Sequence, residues 1–451
     1  MRQVQYYSTN RQVSNVDFLG ALFQGQAPDK GLYMPSRIPV FGPGELEYLR
    51  CEAYPKTAAF VLTKYLGDVV LPERQENLCT DAYGFDVPLE PVADKLHVLR
   101  LDRGPTASFK DFAARMMARW MTALLQDRDK RLVVLVATSG DTGSAIAHAF
   151  HRVPGVSVVV LFPPAEVSDR QRRQMTTLGE NISAVAVEGK FDDCQAMVKQ
   201  AFADPELSSS VRLTSANSIN IGRLLPQVVY YIYASLRLGP QSNVVFSIPS
   251  GNFGNAVGAL LAKRMGAPIG SLVVSTNENN EVAEYLKTGI YRKIVPSRNC
   301  ISNAMNVGHP SNLARIVDLY GGWMDENGTI RRKPDLDAMR KDLWAVSIDD
   351  GETRQTIRNA WAMYHLLLEP HGAVGWAGLT RFIEATGHGG PAVCVETAHP
   401  AKFPEDIVRL LKFSPDPPES LAGLEFRRET VDRLPAAYPA FRDYLVRRFA
   451  A

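Results

Sequence analysis

Lys110 follows an aromatic residue in the run Gly104-Pro105-Thr106-Ala107-Ser108-Phe109-Lys110-Asp111-Phe112, at what reads as a helix start. There the helix dipole and burial both disfavour an ammonium and lower its pKa, the condition for an amine that forms imines. Alone the residue proves little, since most lysines are solvated surface charges. Two other segments, Thr138-Ser139-Gly140-Asp141-Thr142-Gly143 and Ser250-Gly251-Asn252-Phe253-Gly254-Asn255, read as glycine turns joining a strand to a helix. Such a turn presents backbone N–H groups at the positive end of a helix dipole, so each is a candidate anion cup. Glycine also serves simply to permit a tight turn. Two such turns, expected on the same sheet and each carrying hydroxyl or amide side chains, favour the reading as cups, and two cups imply two anions.

A fourth segment, Val395-Glu396-Thr397-Ala398-His399-Pro400-Ala401-Lys402-Phe403, reads as a strand running out into a loop. Ligands of open parallel sheets bind beyond the carboxyl ends of the strands, which makes Thr397 a candidate for the same crevice as both turns, the competing reading being an ordinary strand-end hydroxyl. His399 and His371, each next to Pro or Gly in a strand-end loop, read as structural hydrogen-bonders ahead of proton carriers. The remaining six histidines show no metal-ligand spacing. Asn217, Asn220 and Arg223 recur every three residues and are expected on one side of a helix starting near Ser218. The competing reading is an Asn N-cap before a solvated polar face.

Elements that position these groups are visible as short apolar runs, each followed by a glycine turn and an amphipathic stretch. The clearest strands are Leu132 to Thr138, Val156 to Phe162, Val244 to Pro249, Leu272 to Thr276 and Val393 to Glu396. They predict an α/β fold of open, mostly parallel sheets flanked by helices. The first stretch, 1–90, with turn clusters around Pro28 and Pro43, is expected to form an N-terminal cap. Residues 91–135 and 236–451 are expected to form a large domain, and 136–235 a small one with a mobile part from about 140. Only the tail after Pro418 looks appended.

The chain has 451 residues, 45% hydrophobic and 22% charged, as a globular protein has. Lys plus Arg number 50 and Asp plus Glu 48, a formal charge of +2, which leaves no electrostatic footprint for nucleic acid. The five scattered cysteines (Cys51, Cys79, Cys194, Cys300 and Cys394) form no C-x-x-C pair, so neither a disulfide framework nor a cysteine-rich zinc site is supported. No apolar run reaches the ~18 residues of a membrane span and no signal peptide is seen, so the expected location is the cytoplasm. Neither turn has full G-x-G-x-x-G spacing with an acidic residue ~20 positions on, which speaks against a dinucleotide-binding module.

Together these segments, with Tyr6-Tyr7-Ser8-Thr9, Ala27-Pro28-Asp29-Lys30-Gly31-Leu32-Tyr33 and Asn217-Ser218-Ile219-Asn220, resemble the threonine synthase family nearly end to end. Its members are pyridoxal-phosphate enzymes of the tryptophan synthase β-subunit fold group (fold type II). The resemblance implies a cofactor, pyridoxal 5'-phosphate, with Lys110 as the lysine that binds its aldehyde as a Schiff base and then shuttles protons. It implies that Gly251, Asn252, Phe253, Gly254 and Asn255 cradle the cofactor phosphate and that Thr397 lies beside the pyridine nitrogen. Thr138, Ser139, Gly140, Asp141 and Thr142 are then the cup for a substrate carboxylate. Asn217, Asn220 and Arg223 are expected at the substrate, Arg223 gripping the phosphate of O-phosphohomoserine. The implied reaction is γ-elimination followed by β-hydration, giving threonine and phosphate with no metal. The alternative is a β- or γ-replacement or deaminating lyase for another amino acid. The partner is this small amino-acid phosphate ester, with no nucleic acid or membrane, and the chain is expected to be a monomer or homodimer. Arg103, Ser108 and Asn255 depart from the family pattern, where histidine, a small apolar residue and aspartate are common.

Overall fold

The computed structural model describes residues 4–125, 131–239 and 241–450. Parallel strands are covered on both faces and so read as continuous apolar runs. Val156–Phe162 is buried along its whole length, as is Leu132–Ala137. Two sheets result. In spatial order the larger one is Leu343–Ser347, Ile269–Thr276, Val244–Pro249, Ala392–Glu396, Leu96–Arg100 and Leu89–Ala93, parallel except for the last pair. The smaller is Asp432–Pro435, Ile182–Glu188, Val156–Phe162, Leu132–Ala137 and Arg212–Ser215, parallel throughout. The expected α/β class is observed, and the expected strands occur; Ile269–Thr276 starts earlier than expected.

The partition of the chain between sheets differs from the expected boundaries in four places. Boundaries at 90 and 135 fall inside the strands Leu89–Ala93 and Leu132–Ala137. Helix Pro226–Arg237, expected in the small domain, packs on Gly254–Arg264 of the larger body and on Tyr54–Leu66. Asp432–Pro435, expected with the large domain, pairs with Ile182–Glu188 at the edge of the smaller sheet. The following helix, Tyr438–Phe449, buries Phe441 and Leu445 in one cluster with Cys194 and Met197. A strand reading Asp-Arg-Leu-Pro has no apolar run to betray it, and its proline is tolerated because the strand is an edge.

The N-terminal region consists of a two-stranded antiparallel pair, Tyr6–Ser8 with Tyr33–Pro35, and four helices ending at Ala82. It has no core of its own. Tyr6, Phe18, Tyr54 and Tyr83 share one buried cluster with Phe112, Trp120 and Tyr230, so this region braces the helix that Lys110 opens. Among the described residues no helix is long and apolar enough to cross a membrane.

Candidate active site

Helix Lys110–Leu124 begins at Lys110 itself. The loop before it is fastened at both ends. Thr106 donates to the Asp111 carboxylate from its N–H (2.8 Å) and its hydroxyl (2.6 Å). Ser108 forms a bridge with Ala398, and the Phe109 N–H donates to the Thr397 carbonyl at 2.9 Å. Gly104 is required here, because a Cβ would stand 2.4 Å from Asp111 Oδ2. Lys110 and Thr397, far apart in sequence, are thereby locked side by side. Thr397 continues from the strand Ala392–Glu396, and its hydroxyl has no partner among the described residues.

The Lys110 ammonium lies 3.3 Å from Asp141 Oδ2. Burial lowers the Lys110 pKa, opposed by Asp141 and assisted by Lys402 and Arg223. Asp141 opens the helix Asp141–Phe150 at the carboxyl end of the smaller sheet. Its other oxygen receives Lys402 Nζ at 2.7 Å and Gln171 Nε2 at 2.9 Å. Burial alone raises a carboxyl pKa, but Lys110, Lys402 and His371 outweigh it and hold Asp141 far below the ordinary range.

The two glycine turns do not share a sheet as expected, one following Leu132–Ala137 of the smaller sheet and the other Val244–Pro249 of the larger, and they differ in how much of their backbone is free. In the first, Thr138 Oγ1 accepts the N–H groups of Gly140 and Gly143, both at 2.9 Å. The N–H groups of Ser139, Asp141 and Thr142 have no partner among the described residues. Gly140, at φ 133°, has Gln171 Cδ where a Cβ would go (2.4 Å). In the second turn Phe253 takes a left-handed φ of 60° and helix Gly254–Arg264 follows, leaving the N–H groups of Gly254, Asn255 and Ala256 unpartnered among the described residues. A Cβ on Gly251 would stand 2.7 Å from Met305 Cα, so the turn lies directly against the loop that covers it. Asn252 braces this turn, donating to Ser218 Oγ (2.7 Å) and accepting from the Ser311 N–H (2.7 Å). Asn255 Oδ1 accepts the hydroxyls of Tyr230 (2.5 Å) and Tyr231 (2.7 Å), while its buried Nδ2 has no partner.

Asn217, Asn220 and Arg223 do not share a helix face. The helix starts at Ile221, and Asn220 is its N-cap, accepting from the Gly222 N–H at 2.8 Å. The Asn220 amide donates to the carbonyls of Leu22 and Ser215, both at 2.9 Å, so every polar atom it has is spent on the fold. The expectation that Asn220 binds substrate is therefore corrected in favour of the N-cap. Asn217 is clipped to Ala137 by donating to its carbonyl at 2.8 Å. Arg223 is different: only 3% exposed, it donates to the Ala216 carbonyl at 2.6 Å, and its Nε is buried without a partner among the described residues. Burial brings its pKa down to about 10. A second buried guanidinium, Arg315, staples the Ser218 to Asn220 loop in place. It donates to the carbonyls of Ser218 (3.0 Å), Ile219 (2.6 Å) and Tyr33 (3.2 Å).

One cleft beyond the strand ends brings together Lys110, Thr138, Ser139, Asp141, Thr142, Asn217, Arg223, Thr397 and the turn from Ser250 to Asn255. Gly140 and Asn220 lie behind its wall. His371 lines the same cleft, but both its nitrogens are engaged: Nδ1 with Glu369 Oε2 (2.5 Å) and Nε2 accepting from the Ala304 N–H (3.1 Å). His399 Nδ1 accepts from the Ala401 N–H at 3.1 Å, and burial lowers its pKa to about 4. Both histidines are structural hydrogen-bonders. Lys402 and Gln171 escaped the sequence reading, although Lys402 stands in the quoted strand-end segment. A lysine and a glutamine in polar surroundings read as surface; only the fold turns them inward. A larger surface hollow around Asn10, Asp29, Trp323 and Asp325 lies outside this cleft, and its acids are already satisfied, Asp325 by Arg331 and Asp29 by Ser8 and Gln12. Among the described residues no cluster of metal-ligating side chains is found.

Comparison with known proteins agrees with this geometry. Residues 5–83 match the family model of the threonine synthase N terminus, 87–397 that of pyridoxal-phosphate dependent enzymes, and 372–445 that of the threonine synthase C-terminal region. The threonine synthase of Escherichia coli (strain K12) is 36% identical over 445 residues, covering 98% of this chain and 99% of that protein. That of Haemophilus influenzae is 39% identical over 421 residues, covering 92% and 93%. A crystal structure of pyridoxal-phosphate-bound threonine synthase from Brucella melitensis matches with a TM-score of 0.90 at 34% identity, over 99% of this chain and 100% of that one. An amine-bearing cleft lined by two glycine turns, on a fold shared end to end with these proteins, places the chain in the threonine synthase family of pyridoxal-phosphate-dependent enzymes.

Proposed function

We propose that the chain converts O-phospho-L-homoserine and water into L-threonine and phosphate, by γ-elimination and β-hydration with pyridoxal 5'-phosphate as cofactor. The residues present fit that group. Lys110 offers a desolvated amine, the unpartnered N–H groups at the start of helix Gly254–Arg264 offer a phosphate cradle, and Asn255 Nδ2 is an orphaned buried donor. Gly251, Asn252, Phe253, Gly254 and Asn255 are assigned to its phosphate, Lys110 to its aldehyde and Thr397 to its ring nitrogen. When bound, the cofactor supplies an electron sink for negative charge developing at the substrate carbons.

The protein's own part is to bind, orient and move protons. Ser139, Asp141 and Thr142 are assigned to the substrate carboxylate through their backbone N–H groups, with Thr138 shaping the cup. Lys110 Nζ is assigned to take the Cα proton, to serve the Cβ deprotonation that lets phosphate leave Cγ, and to return protons after water adds at Cβ. The single observation that carries the substrate is Arg223: a buried guanidinium that lines the same cleft as Lys110 and, among the described residues, has no carboxylate bonded to it and only the Ala216 carbonyl as a hydrogen-bond partner. A buried cation without a carboxylate partner is costly unless an anion completes it. The smaller sheet with its flanking helices is the body proposed to close over the substrate and exclude water. The unpaired cysteines accord with a reducing cytoplasm, and we take the chain to be a monomer or homodimer.

The test is direct. Purified protein supplied with O-phospho-L-homoserine should release phosphate and threonine in equal amounts, and the visible absorption of the cofactor should vanish in Lys110→Ala. Phosphate release with a 2-oxo acid in place of threonine would convert the reading into a deaminating lyase.

A further inference from the structure

Asp141 presents a puzzle for the proposed chemistry. A carboxylate sits in a cup assigned to a substrate carboxylate, and it is ion-paired to the amine that must become neutral to work. If Lys110 were its only cation, loss of the lysine proton would strand a bare buried carboxylate, and the amine would be locked as ammonium. The structure contains the remedy. Lys402, fully buried on the short turn Pro400–Lys402, lies 2.7 Å from Asp141 Oδ1 and donates to the Thr106 carbonyl at 2.9 Å. Lys110 uses the opposite oxygen, Oδ2, at 3.3 Å. Gln171 holds Oδ1 from a third direction at 2.9 Å, and Gly140 leaves it the room to do so.

We propose that Lys402 is a positioning residue of the reaction: it neutralises Asp141 permanently, so that Lys110 can give up its proton while the neighbouring cup still accepts an anion. Asp141 is then a two-sided anchor. Its Oδ1 face is a fixed structural pair, and its Oδ2 face a docking point to which the lysine side chain returns whenever it carries a proton. The proposal rests on the reading of Lys110 as the cofactor lysine. The charged groups that face Lys110 are Asp141 from helix Asp141–Phe150, Lys402 from its turn and Arg223 from helix Ile221–Leu224, while His371 from helix Pro370–Thr386 bears on Asp141. Lys402 and Arg223 favour the neutral amine and Asp141 the charged one.

The experiment measures the protonation midpoint of Lys110 in the full chain before cofactor loading, from the pH dependence of its acetylation by acetic anhydride read by mass spectrometry. Lys402→Met, which leaves Asp141 to Lys110 alone, should raise that midpoint by about 1 pH unit or more, and Lys402→Arg should keep it near wild type. In the cofactor-loaded enzyme the acid limb of the kcat/KM profile should move up with it. A folded Lys402→Met chain with an unmoved midpoint overturns the proposal. Should that variant not fold, Asp141→Asn with Lys402→Met removes both buried charges; its midpoint should fall below wild type because the nearer charge, the carboxylate, is gone. A midpoint at or above wild type there overturns the proposal equally. Borohydride reduction of the loaded wild type, followed by mapping of the modified lysine, tests the Lys110 reading separately.

Discussion

The Phe109 N–H donates to the Thr397 carbonyl at 2.9 Å, and this one bond joins the start of the Lys110 helix to the end of a strand nearly three hundred residues away. The backbone positions from which the amine and the hydroxyl assigned to opposite ends of one cofactor project are thus fixed relative to each other. Such a junction tolerates little distortion, because a displacement of about 1 Å at the reacting groups can cost on the order of a hundredfold in rate.

Gly104→Ala tests that junction from behind. The added Cβ would meet Asp111 Oδ2 at 2.4 Å and Asp111 Cβ at 2.7 Å, in a buried loop where Thr106 is already tied to the same carboxylate. Overpacking of this kind costs about 1–3 kcal/mol. The expected result is a lowered Tm together with a kcat reduced at least tenfold, while the secondary structure by circular dichroism is kept. Wild-type Tm and kcat would show that the loop can absorb the methyl group.

Gly251→Ala probes the turn assigned to the cofactor phosphate. Its Cβ would stand 2.7 Å from Met305 Cα and 3.0 Å from the Ala304 carbonyl oxygen, both backbone atoms of the covering loop. The loop must shift, and the Ala304 N–H bond to His371 with it. At about 1–3 kcal/mol, with tenfold per about 1.4 kcal/mol, cofactor affinity should fall roughly 10- to 100-fold. A spectrophotometric cofactor titration measures it, and an unchanged affinity would remove this turn from the phosphate assignment.

Much of this site was legible in the sequence because strand ends, glycine turns and a helix-opening lysine each leave a local mark. Lys110, Thr397 and both turns stand out by short-range pattern and the rule that ligands gather at the carboxyl ends of parallel strands, but only the family resemblance gives them roles. What stayed hidden was long-range. Lys402 looks like any solvated lysine until the turn after Thr397 carries it under the helix of Asp141. Gln171 sits in Asp-Arg-Gln-Arg-Arg-Gln, a run whose polarity speaks for a surface helix, yet one of its faces is buried. Asn220 was misread in the opposite direction: its spacing with Asn217 and Arg223 suggested a binding face, where the local chemistry of an N-cap was the stronger cause.

Arg223 should behave as a clamp and not as a fold element. Among the described residues it makes one hydrogen bond, to the Ala216 carbonyl, so most of its donor capacity is not committed to the fold. Charge-assisted hydrogen bonds contribute about 1.5–3 kcal/mol, so Arg223→Ala should raise KM for O-phospho-L-homoserine roughly 10- to 100-fold. Arg223→Lys keeps the charge but loses the planar fork and should fall between the two. Loss confined to kcat, with KM unchanged, would take the substrate phosphate away from this residue.

Behind Thr397 lies a carboxyl pair that predicts how stability changes with pH. Glu396 is fully buried with Oε2 unpartnered among the described residues; its Oε1 accepts from the Glu369 N–H at 3.3 Å, and Arg100 comes no nearer than 3.9 Å. Burial first, and the neighbouring Glu369 charge second, push its pKa well above the ordinary carboxyl range. A carboxyl whose folded pKa is raised holds its proton in the native state after the unfolded chain has released it. Stability from this group is therefore fully present below the ordinary value of about 4.3 and is lost as pH rises from there toward the folded value. Glu396→Gln keeps the shape of the protonated acid without its titration. Its Tm should fall less than that of the wild type between about pH 5 and 8, so that the two melting curves draw apart as pH rises. Parallel Tm profiles across that range would mean that Glu396 is ionised in the folded protein and that Arg100 reaches it after all.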